Sequence, residues 1–362
     1  MVQVKRCCTR AALLVCGQVI RRIGDDGVDG IVWHRCQCGH HLRAVERHRL
    51  VLKCRRHLAL STITCLKFMV EFRWPNGVTC PRCQALNPMF ISTRKTWECK
   101  GCRKQFSVKV GTIFEDSPLP LAKWMAAVWL IAGAKNGISS YEIHRALGIT
   151  QKSAWFMLHR IRLAMQAGTF DKMQGTVESD ETYIGGKARN MHKDKREKAI
   201  QGRGAVGKSV VQGLLERHTT PSKVKAKHVP NAKKRTVQAE IREHVAVGSE
   251  VFTDSLASYE GLEPDYVHEA VNHAETYVRG RVHTNGLENF WSLLKRMIRG
   301  TYIHLAPFHL QAYLDEEAFR FNERLGNDGQ RFLRVLAGIV GRRLTWKTLT
   351  GKLGTESPEV VT

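Results

Sequence analysis

Long apolar runs are missing from this chain. The longest, Trp124–Ala134, is about half of what a bilayer-spanning helix needs, so no membrane span is expected. A secretory leader is not expected either. Lys5-Arg6 followed by Ala11–Ile20 has the outline of one, but Arg21-Arg22 stand where small residues would form the cleavage site. Acidic residues are scarce: 33 Asp and Glu against 57 Lys and Arg leave a formal net charge of +24. Such a deficit points to a polyanionic partner, nucleic acid before anionic membrane. A basic surface that merely solvates the chain is the duller account.

The eleven cysteines include two CxxC pairs, which indicate metal binding in a reducing compartment rather than disulfides. Residues 1–67 read as a basic extension without sustained periodicity. Cys36, Cys38, His40 or His41, and Cys54 could be assembled into a metal site there, but a CxC pair is too tight for the usual knuckle. Met69 is a natural alternative start.

A zinc ribbon is expected over residues 68–116. Cys80 and Cys83 are followed, fifteen residues on, by Cys99 and Cys102. Each CxxC forms a tight knuckle, so that four thiolates converge on one tetrahedral Zn²⁺ with no position left for water. Met89–Thr93 and Thr96–Glu98 are the expected hairpin strands, and Gln105–Val110 a third. Lys95, Lys100, Arg103, Lys104 and Lys109 surround the ribbon and could touch phosphates.

Residues 117–170 read as a helical segment. Leu121, Trp124, Met125, Val128, Trp129 and Ala132 follow the spacing of a helix facing a core. Ser139–Leu147, a turn at Gly148-Ile149 and Thr150–Met165 then make a helix-turn-helix pattern. Double-stranded DNA contacts are expected from Gln151, Lys152 and Ser153 at the start of the last helix, and from Arg160 and Arg162 further along it. An ordinary helical hairpin is the plainer reading of such a pattern.

Over residues 171–330 an α/β domain is expected. Thr176–Ile184 alternates as a strand and closes at Gly185-Gly186. A basic loop, Lys187–Arg203, precedes a second strand at Lys208–Arg217 and a third at Lys225–Val229. A helix at Arg235–Val245, strands at Glu250–Thr253 and Tyr266–Val271, and helices at Gly286–Thr301 and Phe308–Arg324 complete it. That order is an RNase H-like mixed sheet with flanking helices. An acid on the first strand, Asp180, and one ending the fourth, Asp254, would then lie side by side, with Glu288 from the later helix closing the set. Three carboxylates are hard oxygen ligands for Mg²⁺ or Mn²⁺, and a pair of such ions suits phosphodiester chemistry. Lys295, seven residues after Glu288, shares nearly the same helix face and could steady a phosphate.

Each acid has a plainer role available. Asp254 could cap a short helix near Ser255, and Asn285 with Glu288 could form a capping box. Glu178 or Glu181 could replace Asp180 as the ligand. Gly202–Ser209 matches the phosphate-loop pattern but is followed by a strand-like segment instead of a helix, so nucleotide binding is not expected. Residues 331–362 are taken as a tail.

The segments CPRCQ and CKGC, KSAWFMLHRIR, SDETYIGG and HTNGLENFWSLLKRMIRGTYIHL resemble bacterial zinc-ribbon insertion-sequence transposases of the ISXO-two-like group. The likeness spans Phe68 to Arg324. It implies a DDE-type catalytic domain with Asp180, Asp254 and Glu288 as the acids and Lys295 as the associated base, Asn285 competing for the third place. It also implies cleavage at terminal inverted repeats, joining of the 3′-hydroxyl to target DNA, an oligomer on DNA, and a cytoplasmic, nucleoid-associated location. A zinc-ribbon and helix-turn-helix binding protein with an inactive domain is the alternative, as is a nuclease or resolvase that cuts without joining.

Overall fold

A computed structural model describes residues 62–166, 172–185, 192–194, 207–217, 219–254, 256–271, 283–303 and 305–351. Cys36, Cys38, His40, His41 and Cys54 of the N-terminal extension, most of the basic loop and residues 202–206 lie outside that set. Helix α1 (Thr62–Arg73) begins earlier than the expected lead-in at Phe68. It leads into a small antiparallel sheet, β1 (Met89–Ile91), β2 (Thr96–Glu98) and β3 (Gln105–Phe106), in that spatial order. Trp97 and Phe106 bury one face of the sheet against Trp74, at ring separations of 5.7 and 6.2 Å. Arg73 donates to Val108 O at 2.8 Å and fixes the sheet to α1.

Three helices follow: α2 (Leu121–Gly133), α3 (Ser140–Leu147) and α4 (Gln151–Met165). Ser139 and Glu142 form a capping box at the start of α3, and Thr150 accepts from Ser153 N at the start of α4. The helix-turn-helix reading needs correction beyond the first turn of α4. From Ala154 onward that helix is mostly buried, so it is a central beam and not a recognition helix with a free face. Arg160 donates to Ile113 O, Glu115 O and Leu344 O. Arg162 is 1% exposed and donates to Glu316 Oε2 at 2.5 Å. Neither guanidinium can reach DNA, because each is committed to interior oxygens that would otherwise lack a donor.

The sheet that follows contains β4 (Thr176–Ile184), β5 (Ser209–Glu216), β6 (Lys223–Val229), β7 (Glu250–Asp254) and β8 (Val267–Val271), with helix α5 (Lys234–His244) between β6 and β7. The strand order is β6-β5-β4-β7-β8. β4–β5 and β5–β6 pair antiparallel, while β4–β7 and β7–β8 pair parallel. β5 begins at Ser209, so a strand and not a helix follows Gly207-Lys208, as expected for a chance match to the phosphate loop. One face packs Val177, Leu214 and Val251 against Val237 and Ile241 of α5. The other packs Val211, Leu215 and Val224 against α6 (Asn285–Met297) and α7 (Leu310–Asn322).

Residues 331–362 are not simply a tail. Helix α8 (Asp328–Ala337) buries Phe332, Val335 and Leu336, with Phe332 beside Phe68 and Trp129. Its Asn327–Gln330 capping box was readable from the sequence. A short helix, α9 (Trp346–Leu349), follows. No described helix is long and apolar enough to cross a membrane.

Glu316, on α7, joins the helical segment to the sheet. Its carboxylate takes Arg162, Arg320 and the Tyr302 hydroxyl. Burial alone would raise its pKa, but Arg320 and Arg162 outweigh burial and hold it down to about 2. Glu316→Ala strands the buried Arg162 guanidinium and leaves Arg320 with Glu317 as its carboxylate, and it is expected to cost about 3–5 kcal/mol in urea unfolding. Arg162→Ala should cost less, since Glu316 keeps Arg320 and Tyr302. Equal losses would show that the Arg162 pair carries the whole effect.

Candidate active site and metal centre

The four ribbon cysteines have their sulfurs within 4.8 Å of one another. Cys80 Sγ lies 3.8 Å from Cys102 Sγ, and Cys83 Sγ lies 3.4 Å from Cys99 Sγ. A tetrahedral ion with Zn–S near 2.3 Å sets its sulfurs about 3.8 Å apart, so the donor set fits zinc. The two CxxC segments fold alike. Gln84 N donates to Cys80 O and Cys80 N to Ala85 O, while Arg103 N donates to Cys99 O and Cys99 N to Lys104 O. Gln84 and Arg103 occupy equivalent left-handed positions, φ 61° and 55°. Lys109 does not join the exposed cations around the ribbon, because its ammonium donates to Ser117 O and Leu119 O.

Among the described residues, one other set of metal-binding side chains clusters as closely, Glu240, Glu243 and His244 on α5. Lysines already occupy it: Lys227 Nζ lies 2.7 Å from Glu240, and Lys225 Nζ lies 3.1 Å from His244 Nδ1.

Asp180, Asp254 and Glu288 belong to the large sheet and α6. Asp180 lies mid-β4, opposite Gly213 of β5. β4 and β7 run in parallel register with Glu178 beside Phe252. Side chains alternate along a strand, so Asp180 and Asp254 share the face of Glu178 and Phe252. That is the face covered by α6, since Glu178 accepts from Leu287 N and Asp180 from Trp291 Nε1, both at 2.9 Å. Glu288 is exposed on α6, one turn before Trp291.

These acids are electrostatically linked. Burial, followed by the charges of Asp254 and Glu288, raises the Asp180 carboxyl to about 6, against the pull of its hydrogen bonds from Trp291 and Glu181 N. The three do not close into a set within 4.8 Å, as the cysteines do. Asp180 is the shared member, since the charges of both Asp254 and Glu288 act on it. Lys295 is half-buried on α6, and its ammonium is pulled down by burial, Arg299 and Lys208 and raised by Asp180.

The plainer readings fare differently. The N-cap of α6 is Thr284, and no capping side-chain bond forms, so Asn285 and Glu288 do not make a capping box. Asp254 does hold its own turn, accepting from Leu256 N at 3.3 Å. Glu178 is 1% exposed and serves the helix instead of the open face. It takes Leu287 N at the positive end of α6 and Arg217 Nε at 2.6 Å. Glu181 points to the opposite side of β4, where Oε1 accepts from the Tyr259 hydroxyl at 2.5 Å. Its Oε2 is buried without a partner, and burial with the Asp254 and Asp180 charges raises the carboxyl to about 8.

Of the DNA-contact residues expected on α4, the first turn remains near the surface. Gln151 Nε2 donates to Ser140 Oγ, and Ser153 Oγ accepts from Thr150 Oγ1, which stiffens the α3–α4 turn. Lys152 is exposed, its ammonium 4.7 Å from the Trp346 ring centre. Sequence reasoning missed Trp291 and Gly213. A Cβ on Gly213 would come 2.6 Å from the Trp291 indole. Glycine inside a strand signals such a close approach, and that was the available clue.

Because Asp180 holds its proton more tightly when folded than at the ordinary 3.8, the folded chain binds more protons between those values. Its carboxyl therefore burdens the fold increasingly as pH rises through about 6. In buffer free of divalent ions, the stability of Asp180→Asn relative to the unaltered chain should improve by about 1–2 kcal/mol between acidic and neutral pH. A pH-independent difference in denaturant melts would refute the raised pKa of the buried Asp180 carboxyl.

Comparison with known proteins now adds to the geometry. The sequence model of the ISXO2-like transposase domain matches residues 172–322, and that of a transposase zinc-ribbon domain matches residues 61–105. A protein in transposable element ISH50 of Halobacterium salinarum is 28% identical over 273 residues, covering 70% of this chain and 90% of the relative. A transposase-like protein of Haemophilus influenzae is 34% identical over 95 residues, covering 26% of this chain and 76% of the relative. The ribbon match contains all four clustered cysteines, and the domain match contains the sheet with its three acids and α6. This chain belongs to the ISXO2-like transposase family.

Proposed function

We propose that the chain is a DDE-type transposase that cleaves phosphodiester bonds at the ends of an insertion sequence and joins the freed 3′-hydroxyl to target DNA. The observation that carries this reading is that Asp180 and Asp254 share the sheet face covered by α6, the helix that carries Glu288, with the Asp180 carboxyl raised by burial and then by the charges of the other two. The sheet order, with β4 central and antiparallel on one side only, supports an RNase H-like catalytic domain.

Asp180, Asp254 and Glu288 would hold Mg²⁺ or Mn²⁺. Carboxylate oxygens are the donors these ions prefer, and the proton affinity of Asp180 reflects burial and then the neighbouring charges of Asp254 and Glu288, both of which a cation would offset. When bound, a pair of such ions polarises the attacking and leaving oxygens at phosphorus. Trp291 and the Glu181 N–H each occupy one oxygen of Asp180 and fix the plane of its carboxylate. Lys295 would steady the phosphate beside it. Water attacks in the first step and the 3′-hydroxyl in the second, each breaking one P–O bond in line with the bond formed. Glu288 is favoured over Asn285 for the third acid because its charge reaches Asp180.

The Cys80, Cys83, Cys99 and Cys102 cluster would hold a structural Zn²⁺, as the sulfur spacing suits it. The ribbon and the first turn of α4, with Gln151, Lys152 and Ser153, would contact double-stranded DNA at the terminal repeats. Bringing two ends together calls for a homo-oligomer on DNA, in the cytoplasm beside the nucleoid.

A strand-transfer assay on duplexes carrying the element's terminal repeats tests the proposal. Mg²⁺-dependent joining is expected for the unaltered chain, with at least a 100-fold loss for Asp180→Asn and Glu288→Gln, roughly the scale of losing one charge-stabilising group. Cutting without joining would indicate a nuclease or resolvase, and DNA binding without cutting would leave an inactive binding protein. Separately, Cys80→Ser should abolish bound zinc and weaken end recognition while far-ultraviolet signals of the large sheet persist. Retained zinc with unchanged DNA affinity would exclude the ribbon assignment.

A further inference from the structure

The acids account for one stretch of α6, and the cations beyond them remain unexplained. Helix α6 runs alongside β4 in the same direction, since Leu287 meets Glu178 and Trp291 meets Asp180. Four helical residues advance about 6 Å and two strand residues advance about 6.6 Å, so helix and strand keep step. One further turn brings Lys295 past Asp180, and Arg299 follows in the π-helical turn Ile298–Tyr302 that continues α6 in the direction of the end of β4. There Ser209 pairs with Ile184, and Lys208 lies against Gly185, where a Cβ would be 3.1 Å from its Cγ.

Lys208 and Arg299 are exposed, and Lys295 is half-buried. Among the described residues none of the three forms an ion pair, although they stand close enough for Arg299 and Lys208 to depress the Lys295 ammonium. The positions are also well held. Just beyond Arg299, Thr301 Oγ1 donates to Asn136 O at 2.7 Å, and the Tyr302 hydroxyl donates to Glu316 and accepts from Ile138 N. Three like charges, two of them acting on Lys295, lead away from the acids and form a surface that a string of anions would complete.

We propose that Lys208 and Arg299, with Lys295, form a phosphate track that carries one DNA strand away from the reacting phosphodiester toward the C-terminal end of α6. This rests on the transposase reading and adds to it the direction in which the strand leaves the acids. The spacing of Lys295 and Arg299, one helical turn, suits consecutive phosphates and carries no base specificity, so the track would grip any sequence.

The test uses Lys208→Gln/Arg299→Gln in the full chain carrying Asp180→Asn, so that no DNA is consumed. Its partner is a duplex oligonucleotide of arbitrary sequence, with binding followed across a range of monovalent salt. Each lost phosphate contact should lower the slope of log affinity against log salt by about 0.9, hence about 1.8 for the pair. The affinity gap to the Asp180→Asn chain should then shrink about tenfold between roughly 50 and 200 mM salt. Lys208→Arg/Arg299→Lys, which keeps both charges, should restore the slope and controls for misfolding. An unchanged slope in a folded double variant overturns the track while leaving cleavage by the unaltered chain intact. Failure of the unaltered chain to bind or cut DNA would instead remove the transposase reading and the track together.

Discussion

The arrangement of the acidic face depends on how α6 is pinned to β4. Glu178 is buried and acts at a distance as the cap of that helix, its carboxylate between Leu287 N and Arg217 Nε. Glycine at 286 makes the approach possible, because a Cβ there would lie 2.9 Å from Glu178 Oε2. A buried carboxylate with two donors is costly to disturb, and it sets where the helix begins. Everything further along α6, including Glu288, Trp291 and Lys295, takes its place from that start.

The far end of the same helix is fixed by a different set of atoms. Ile298–Tyr302 continues as a π-helical turn, and Tyr302 reaches the Glu316 carboxylate that also holds Arg162. Through Arg162 that carboxylate belongs to α4, and through Arg160 the same helix holds the backbone just after the ribbon. The ribbon, the helical segment and the acidic sheet are thus connected by interior guanidinium groups. The basic residues of α4 hold these parts together where they might have been expected to bind DNA.

Much of this was legible in the residues. The five strands of the large sheet follow from alternation and turn residues, and the two CxxC pairs announce their convergence. What escaped was burial. Nothing local distinguishes Arg160 and Arg162, which face inward, from Lys152, which faces out. A helix carrying charge on several sides reads as solvated until its neighbours are known, and the neighbours here, α7 and α8, come about 150 residues later. Helix α8 was overlooked for the same reason, since its apolar face only makes sense once Phe68 and Trp129 are opposite it. Likewise Glu178, Asp180 and Glu181 are neighbours of similar chemistry, and only the alternation of β4 and the position of α6 separate a helix cap, an open carboxylate and a tyrosine partner.

Gly213 has a consequence for the width of the cleft. The bare backbone of β5 lets the edge of the Trp291 indole come close to the sheet, so this one missing side chain gauges the gap between helix and strand. Glu288 and Lys295 ride on the same rigid cylinder as Trp291. A single methyl group at position 213 would push against Trp291 and Leu287 and so shift the helix that carries all of them, with the Trp291 hydrogen bond to Asp180 strained first.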